Sequence, residues 1–273
     1  MHRQLLHRFR TWGAEALDAI FPARCCSCGR LFRSRPITEP ADTENSQEGL
    51  SAILAEFLCG TCNRLIQWIH APLCTCCGRP FDSPQGVDHP CGDCREDPGG
   101  YNRARAAAVY HGVFKALICA YKYQYRVELA MPLSRIMWRT LTRYWDPRQI
   151  DCIVPVPLHN RRLRERGFNQ AELMLRAWPA VSQTAGRHQR PPALWADNLV
   201  RSRYTPPQIG LNRDQRVDNM LDAFQLSDPS AIRGCRILLV DDVLTTGATV
   251  NACTRVLLRA KAASVEVLTL ARA

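Results

Sequence analysis

The sequence predicts an α/β protein with a mostly parallel sheet, preceded by a small cysteine-rich module. Two observations support this prediction. Ten of the fourteen cysteines lie between Cys25 and Cys94, whereas the chain beyond residue 100 alternates apolar runs with segments of helical periodicity. Strands that alternate with helices need crossover connections, and such connections favour a parallel sheet. With 273 residues, the chain is long enough for one ordinary domain and one smaller module.

The elements of the predicted sheet follow a natural linker, Pro98-Gly99-Gly100. The predicted strands cover 105–111, 150–157, 236–240 and 264–272. The predicted helices cover 112–123, 126–145, 166–178, 213–224 and 248–260. The predicted organisation is therefore an N-terminal segment over 1–22, a cysteine-rich module over 23–98 and an α/β domain over 101–273.

The first 22 residues predict an amphipathic helix, because apolar side chains recur at steps of three and four residues. These side chains are Leu5, Phe9, Trp12, Ala16 and Ile20. A helix that packs on its own protein is the simpler interpretation, and a helix at a membrane surface or on a partner is the alternative. The segment does not resemble a signal peptide. No apolar run in the chain reaches the roughly 18 residues of a transmembrane helix.

The cysteines of residues 23–98 form a tandem repeat. CCSCGRLF at 25–32 is echoed by CTCCGRPF at 74–81, and CGTC at 59–62 is echoed by CGDC at 91–94. Each copy supplies two C-x-x-C pairs, and two such pairs provide the four thiolates of a closed tetrahedral zinc site. The spacing predicts two structural zinc sites, with the ligands Cys25, Cys28, Cys59 and Cys62 in the first and Cys74, Cys77, Cys91 and Cys94 in the second.

Disulfides and a redox pair are the alternative roles for these cysteines. The absence of a secretion signal argues against disulfides, and a redox motif would not occur as four pairs in a tandem repeat. Cys26 and Cys76 lie inside the pairs and could substitute as ligands. The polar, proline-bearing residues 33–49 predict a loop inserted into the first half of the module.

Residues 238–250 read LLVDDVLTTGATV, an apolar strand that runs into two acids and a loop of small residues. Ligands of parallel sheets gather at the carboxyl ends of strands. The loop opens a predicted helix, so its outward amide groups and the helix N-terminus favour a monophosphate. The candidate phosphate-binding residues are Thr245, Thr246, Gly247, Ala248 and Thr249. Asp241 and Asp242 could accept hydrogen bonds from two neighbouring hydroxyls, so the site suits a sugar phosphate.

Other proteins also place acids at the end of an apolar strand. A nucleotide hydrolase with a Walker B strand needs G-x-x-x-x-G-K-[ST], and none of Lys115, Lys122 and Lys261 follows a glycine or precedes Ser or Thr. That class is excluded. A receiver domain carries its paired acids near its start, which disagrees with their position here. A threonine N-cap beside two surface acids is the simplest non-functional alternative.

The net charge of +11 is concentrated in the second part of the chain. Residues 101–273 hold 26 Lys or Arg against 13 acids, whereas residues 1–100 hold ten Arg against twelve acids. Nearly all the basic residues are arginine, whose planar side chain binds phosphate in a bidentate way. This distribution favours phosphorylated ligands or nucleic acid as partners.

LLVDDVLTTGAT resembles the 5-phosphoribosyl-1-pyrophosphate (PRPP) motif of type I phosphoribosyltransferases, and residues 25–273 resemble the ComF family of ComFC- and GntX-like proteins nearly throughout. Besides the cysteine pairs, the matching stretches are YKY at 121–123, IVPVPLHNRRLRERGFNQA at 153–171 and TPPQIGLNRDQRVDNMLDAF at 205–224. The resemblance implies a double zinc ribbon followed by a type I phosphoribosyltransferase-like domain, with helices on both faces of its sheet. It implies PRPP with Mg²⁺ as ligand, and Asp241 and Asp242 as catalytic acids beside the ribose.

The resemblance also implies a role in natural competence, in which the protein assists incoming single-stranded DNA on the cytoplasmic side. A competence helicase or a membrane DNA channel is the implied protein partner, and peripheral contact with the inner membrane stays open. The basic segment after strand 150–157 could hold pyrophosphate or a single strand. Its candidate residues are His159, Arg161, Arg162, Arg164, Arg166 and Phe168. Phe168 and Tyr204 could stack on bases, and a merely solvated arginine-rich helix is the alternative.

Three functions remain open on the sequence. A nucleic-acid-binding module with a retained PRPP site is favoured. An active phosphoribosyltransferase would transfer phosphoribose to a nucleobase or an amine, and its acceptor pocket is not located by the sequence, so enzymatic activity stays undecided. An adaptor would use the zinc ribbons to dock a helicase or a membrane channel.

Overall fold

A computed structural model of the protein describes residues 22–33, 47–83, 85–184, 190–203 and 223–273. Four sequence predictions fall wholly or mainly outside these ranges. They are the N-terminal helix, the inserted loop over its residues 34–46, the stacking role of Tyr204, and the helix over 213–224 as far as residue 222.

Short elements precede the sheet domain and longer ones build it. The strands are β1 (Ala23–Arg24), β2 (Leu31–Phe32), β3 (Ala104–Val109), β4 (Cys152–Pro155), β5 (Ala193–Leu194), β6 (Leu199–Arg201), β7 (Phe224–Leu226), β8 (Arg236–Leu244) and β9 (Ser264–Arg272). The α-helices are α1 (Gln47–Ile53), α2 (Gly60–Arg64), α3 (Gly92–Glu96), α4 (Gly112–Tyr123), α5 (Ala130–Tyr144), α6 (Asn160–Arg166), α7 (Gln170–Arg176), α8 (Trp178–Thr184) and α9 (Ala248–Arg259). Among the described residues, no helix combines the length and the apolar character that a bilayer crossing requires.

A five-stranded sheet with the order β3–β9–β8–β4–β5 forms the centre of the larger domain. All of its neighbouring pairs are parallel, which agrees with the predicted alternation of strands and helices. β4 and β8 are adjacent, and Pro155 at the end of β4 lies opposite Val240. The segments that follow these two strands therefore start side by side at the carboxyl edge of the sheet.

Helices cover both faces of the sheet, and the side chains of β8 alternate between the two cores that these helices form with the sheet. Leu238 and Val240 belong to the core shared with α4, α5, α7 and α8. Ile237 and Leu239 belong to the core shared with α9. All four side chains are fully buried, as expected for a central parallel strand. The predicted fold class is confirmed.

The cysteine-rich module packs directly against the sheet domain. Leu54 and Leu58 lie in the same buried core as α4 and α5. The ring of Trp68 meets the ring of Phe114 edge-on, with 5.6 Å between centroids. Buried apolar surface stabilises a fold by about 25 cal/mol per Å². Removal of residues 1–98 would therefore expose part of the core of the sheet domain.

β8 is longer than the sequence predicts. Its pairing with β9 continues from Asp241 opposite Thr269 to Leu244 opposite Arg272, so the strand ends at Leu244 and not at residue 240. Asp241 and Asp242 consequently lie within the strand, and successive side chains of a strand point to opposite faces. The expectation that both acids follow the strand end is wrong.

Three further local predictions differ from the structure. The predicted helix over 166–178 is interrupted, because helix α6 ends where Gly167 adopts the left-handed conformation with φ of 77° and α7 begins at Gln170. Phe224, placed at the end of a predicted helix, begins β7 and pairs with Arg201 of β6. Residues 47–49, assigned to the inserted loop, begin α1.

Candidate functional site

The structure brings each predicted cysteine quartet together. In both quartets, all four Sγ atoms lie within 4.8 Å of one another. The Sγ atoms of Cys28 and Cys59 are 3.8 Å apart, as are those of Cys77 and Cys91. A tetrahedron with zinc–sulfur bonds of about 2.3 Å has edges of about 3.8 Å, whereas a disulfide bond is about 2.05 Å long. The geometry therefore supports two structural zinc sites.

Backbone groups around the second quartet are also arranged as a metal site requires. The amide N–H groups of Cys77 and Cys91 donate to Cys74 Sγ at 3.4 and 3.3 Å, which favours the thiolate that a metal needs. Gly78 has a φ of 69°, and a Cβ atom there would lie 2.5 Å from the carbonyl oxygen of Ala104. Only glycine fits where this quartet meets β3.

The two spare cysteines are outside both quartets. Cys76 Sγ donates to the carbonyl oxygen of Pro98 at 3.3 Å, and the Cys26 side chain hydrogen-bonds to Arg126. Neither thiol is among the four converging sulfurs. In this arrangement, neither is needed as a substitute ligand.

The loop between β8 and α9 exposes the start of a helix. Gly247 is the N-cap residue of α9 with a φ of 83°, and no side chain makes a capping hydrogen bond at this described end. The alternative of a threonine N-cap is therefore wrong. Thr245 and Thr246 are exposed, while Ala248 and Thr249 form the first turn. Uncapped amide groups at the N-terminus of a 12-residue helix suit an anionic ligand.

Asp241 and Asp242 occupy different environments. Asp242 is buried and accepts a hydrogen bond from Lys122 Nζ at 2.7 Å, in an ion pair whose side chains are each 12% exposed. Asp241 is half-buried, and its carboxylate accepts the Asp242 amide N–H at 2.8 Å. Asp242 is therefore paired with a cation, whereas the side chain of Asp241 lies on the opposite face of the strand.

Burial and the charge of Asp242 raise the pKa of Asp241 to about 7. The positive charges of Lys122 and Arg201 lower that pKa in part. Burial lowers the pKa of Lys122, but its contacts with Asp242 more than offset this effect and raise the pKa overall. Lys122 is therefore a cation at neutral pH, and Asp241 changes its charge near neutrality.

Sequence reasoning assigned no role to Lys122 or Arg201. Lys122 lies in the YKY stretch that carries part of the family resemblance, so a signal existed without a role attached to it. Arg201 ends β6, a short strand of a two-stranded sheet that the alternation of longer elements did not predict. Both cations come close to Asp241 only through the tertiary structure, since they lie 119 and 40 residues away along the chain.

The basic segment after β4 is a surface helix with an excess of positive charge. Glu165 pairs with Arg161 at 3.2 Å and with Arg162 at 3.8 Å. Arg164 has no carboxylate partner among the described residues. His159 caps the helix, because its Nδ1 accepts the Arg161 amide N–H at 3.1 Å. The single carboxylate of α6 thus offsets only part of the positive charge of its arginines. The remaining positive charge is available to an external anion.

Residues 121–125, here called the YKYQY segment, connect the acid pair to α6. Lys122 pairs with Asp242, as described. The Tyr123 hydroxyl accepts from Arg166 at 3.1 Å, and the Tyr125 hydroxyl donates to the Glu165 carbonyl oxygen at 2.9 Å. One short segment therefore fixes the position of the basic helix relative to the acids of β8.

The Phe168 ring packs against a ring of the protein on one side. It is half-buried, and its ring lies 5.5 Å from the buried ring of Tyr121 at a tilt of 44°. The side chain therefore packs the end of α4 against the start of α7. Stacking of Phe168 on a base stays a prediction, and its half-buried ring leaves less surface for a base than a fully exposed ring would.

The second quartet also contacts the loop before α9. Arg272 donates to the carbonyl oxygens of Leu244 and Thr245 at 3.1 and 2.5 Å, and its guanidinium lies 3.9 Å from Cys77 Sγ. A cavity of about 360 Å³ separates this loop from the quartet and is also lined by Arg79. The zinc-ribbon module thus supports the candidate phosphate loop from one side.

Comparisons with known proteins agree with this architecture. The model of the phosphoribosyl transferase domain matches residues 196–273, and the model of the double zinc ribbon domain matches residues 52–95. The first match contains β8, the acid pair and the loop before α9. The second contains six of the eight cysteines of the quartets.

Three relatives cover most of this chain. The DNA utilization protein YhgH of Escherichia coli (strain K12) is 33% identical over 224 residues, 79% of this chain and 90% of the relative. Competence protein F of Haemophilus influenzae is 30% identical over 221 residues, with the same coverage. Competence protein ComFC of Bacillus subtilis (strain 168) is 28% identical over 226 residues, 80% of this chain and 85% of the relative. With both domain models and this extent of identity, the chain belongs to the ComF family of competence and DNA utilization proteins.

Proposed function

We propose that this protein handles single-stranded DNA during uptake or utilization, with a phosphoribosyltransferase-type domain that binds PRPP. One observation carries the proposal. The YKYQY segment links the acid pair of β8 to the arginine helix α6, through Lys122 on one side and Tyr123 and Tyr125 on the other. A sugar-phosphate site and a basic surface are thereby held at one edge of the sheet.

The phosphate of PRPP would bind at the start of α9, on the loop residues Thr245 to Thr249. Exposed threonine hydroxyls and uncapped amides support this role. The ribose hydroxyls would donate to Asp241 and Asp242, and Lys122 would hold the Asp242 carboxylate in place through its ion pair. Mg²⁺ would accompany the pyrophosphate of the ligand, and the arginines of α6 would supply its counter-charge.

Phosphoribosyl transfer itself is the second candidate function. The acid pair favours it, because a carboxylate beside the ribose stabilises the positive charge that develops when pyrophosphate leaves. Asp242, paired with Lys122, would provide electrostatic stabilisation, and Asp241 would orient a hydroxyl. Release of pyrophosphate from PRPP in the presence of candidate nucleobases or amines would identify this activity.

Single-stranded DNA would bind along α6 through its phosphates. Glu165 is the only acid of α6, and it pairs with Arg161 and Arg162 but not with Arg164. Phosphate contacts of this kind are independent of sequence and release counterions. Relatives named for competence and for DNA utilization support the same class of ligand.

The zinc-ribbon module would hold the framework and could also present a surface to protein partners. We place the protein in the cytoplasm, where a competence helicase or a membrane DNA channel would deliver or receive the strand. Loss of partner binding after substitutions on the ribbon surface, with DNA binding retained, would separate the adaptor role from the DNA role.

Calorimetric titration of PRPP with Mg²⁺ tests the ligand site. The parent protein should bind PRPP, and the double variant Asp241→Asn with Asp242→Asn should lose at least tenfold in affinity, since each acid is assigned a ribose hydroxyl and each such bond contributes about 1–3 kcal/mol. The control is Asp82→Asn with Glu96→Gln, which removes two exposed acids elsewhere. Equal binding by the double variant and its control would reject the ligand site.

A further inference from the structure

Two tyrosines of the YKYQY segment are exposed beside the arginine helix. Tyr123 is 58% exposed and Tyr125 is 62% exposed, which is unusual for large rings in a folded domain. Tyr121, in the same segment, is fully buried. The chain thus buries one ring of the segment and turns the other two outward.

Both exposed rings are held in place by α6. The Arg166 guanidinium lies over the Tyr123 ring, 4.8 Å from its centroid, and donates to its hydroxyl at 3.1 Å. The Tyr125 hydroxyl donates to the Glu165 carbonyl oxygen at 2.9 Å. A ring that is already oriented loses little conformational entropy on binding. These contacts fix the hydroxyl ends and leave ring surface accessible.

The backbone of Tyr125 is in an unfavourable conformation. Its φ is 54°, in the left-handed region that bulky side chains seldom adopt. The conformation costs about 1–2 kcal/mol for a residue with a Cβ atom, and glycine would avoid that cost. An exposed aromatic residue in such a position has no packing role that explains it, and strained residues of this kind cluster at ligand-binding sites.

The surroundings of the two rings combine apolar surface with positive charge. Val127, Met131 and Leu163 are also exposed nearby in the chain or on α6. The arginines of α6 flank them, with Arg164 free of a carboxylate partner among the described residues. Aromatic faces beside a basic strip bind single-stranded nucleic acid, because the bases stack while the phosphates meet the cations. Double-stranded DNA would keep its bases stacked inside the helix and could not use the rings.

We propose that Tyr123 and Tyr125 are the base-stacking side chains of the DNA-binding surface. This assignment rests on the proposed function and replaces Phe168, which packs against Tyr121. The strand would run along α6, with its phosphates on the arginines and one base on each ring. The YKYQY segment would then serve two ligands, through Lys122 toward the acid pair and through its outer tyrosines toward DNA.

The test is a fluorescence-anisotropy titration of a labelled oligodeoxynucleotide. Tyr123→Ala and Tyr125→Ala should each weaken binding about 5- to 150-fold, the range of one base–aromatic stack. The dependence of affinity on salt should stay that of the parent, because stacking releases no counterions. Tyr123→Phe and Tyr125→Phe keep the ring and should retain most of the affinity. Leu65→Ala and Val87→Ala remove exposed apolar side chains far away in the chain and serve as controls.

An oligodeoxynucleotide with abasic sites distinguishes stacking from loss of structure. It keeps its phosphates but lacks bases at these sites, so the parent should bind it more weakly than the intact strand, by a factor similar to the loss caused by removing the tyrosine rings. The double variant Tyr123→Ala with Tyr125→Ala should bind both strands equally. If the double variant keeps the parent's affinity for the intact strand, the assignment of these rings is wrong while the DNA function stands. If the parent binds no single strand even at low salt, the proposed function itself fails and the assignment with it.

Discussion

The acid pair of β8 and the arginine helix α6 lie at neighbouring strand ends, yet they balance charge in different ways. In the interior, Asp242 is matched by Lys122 at 2.7 Å, with both side chains largely removed from water. On the surface, Arg161 and Arg162 of α6 share the single carboxylate of Glu165, and Arg164 has no carboxylate partner among the described residues. The buried acid is paired with a cation of the protein itself, whereas helix α6 carries a net positive charge.

This difference follows from the cost of desolvation. An unpaired charge inside a protein costs several kcal/mol, so a buried acid needs its cation in the folded chain itself. An exposed arginine keeps most of its hydration and needs no partner to be tolerated. The net positive charge of α6 is therefore available to an external anion, whereas the ion pair with Lys122 fixes the position of Asp242 within the protein.

Metal removal has the largest expected effect, because both regions depend on the zinc-ribbon framework. Structural zinc contributes on the order of 10 kcal/mol to the folding of small modules. We expect about two equivalents of zinc per chain by elemental analysis, and chelation should unfold the module and loosen the loop that Arg272 holds beside Cys77.

Two single cysteine variants, at positions 74 and 76, test the assignment of the zinc ligands. Cys74→Ser should retain one equivalent of zinc, whereas Cys76→Ser should retain two, since Cys76 is outside the quartet. Two equivalents in Cys74→Ser would show that the ligand assignment is wrong. Near-zero metal in the parent, with oxidised cysteines, would overturn the zinc sites altogether.

Substitution of Lys122 should show most clearly how the loss of a buried partner differs from the loss of an exposed one. Lys122→Met leaves Asp242 buried without its cation, and breaking one partner of a buried ion pair costs about 3–5 kcal/mol. The free energy of unfolding by urea should fall by that amount. Lys115→Met on the same helix changes an exposed lysine and is the control.

The surface counterpart is Glu165→Gln, which removes the shared partner of the α6 arginines. Exposed ion pairs contribute about 0–1 kcal/mol, so this variant should unfold close to the parent. Equal losses for Lys122→Met and Glu165→Gln would mean that the contrast between buried and exposed charge does not hold.

The protonation of Asp241 gives a smaller effect that depends on pH. Burial and Asp242 raise its pKa from 3.8 to about 7, so the folded chain holds a proton that the unfolded chain has released. The unliganded protein should therefore lose stability as pH rises from 4 toward 7. PRPP, which would bind the ionised acid, should bind about tenfold more tightly at pH 8 than at pH 6.

Asp241→Asn tests this pH dependence, because it removes the titrating group and keeps the size of the side chain. The groups that face Asp241 are Asp242, Lys122, Arg201 and Cys253, and all of them remain in the variant. The titration of PRPP itself is common to both proteins. If parent and variant show the same change in PRPP affinity between pH 6 and pH 8, Asp241 does not titrate in this range.

Local patterns in the sequence were sufficient for the zinc sites and for four of the five strands of the main sheet, whereas the two-residue strand β5 was not predicted. The C-x-x-C spacing indicated which sulfurs would meet, because ligand spacing is itself a geometric constraint. Helix α4 and strand β9 have the predicted bounds, since their apolar periodicities are strong. The length of β8 was underestimated, because pairing with β9 extends it through two acids that a local pattern assigns to a loop.

Long-range partners could not be predicted from local patterns. The pairing of Lys122 with Asp242 joins residues 120 positions apart, and nothing in either segment specifies the other. Phe168 shows the same limit of local patterns. Its position in a basic segment suggested a stacking face, whereas its neighbour in space, Tyr121, buries one side of it.

The most direct test of the DNA role is the salt dependence of single-strand binding, measured by fluorescence anisotropy. The slope of log K against log salt should be roughly −0.7 per phosphate contacted, and replacing Arg161, Arg162 and Arg164 by Ala should reduce its magnitude by about 2. The matched control replaces Arg148, Arg233 and Arg259, three exposed arginines that precede β4, β8 and β9 and so lie toward the opposite edge of the sheet. We expect the control to keep the parent slope. A parent slope in the α6 variant, or an equal reduction in both variants, would contradict the assignment of α6 as the DNA-binding surface.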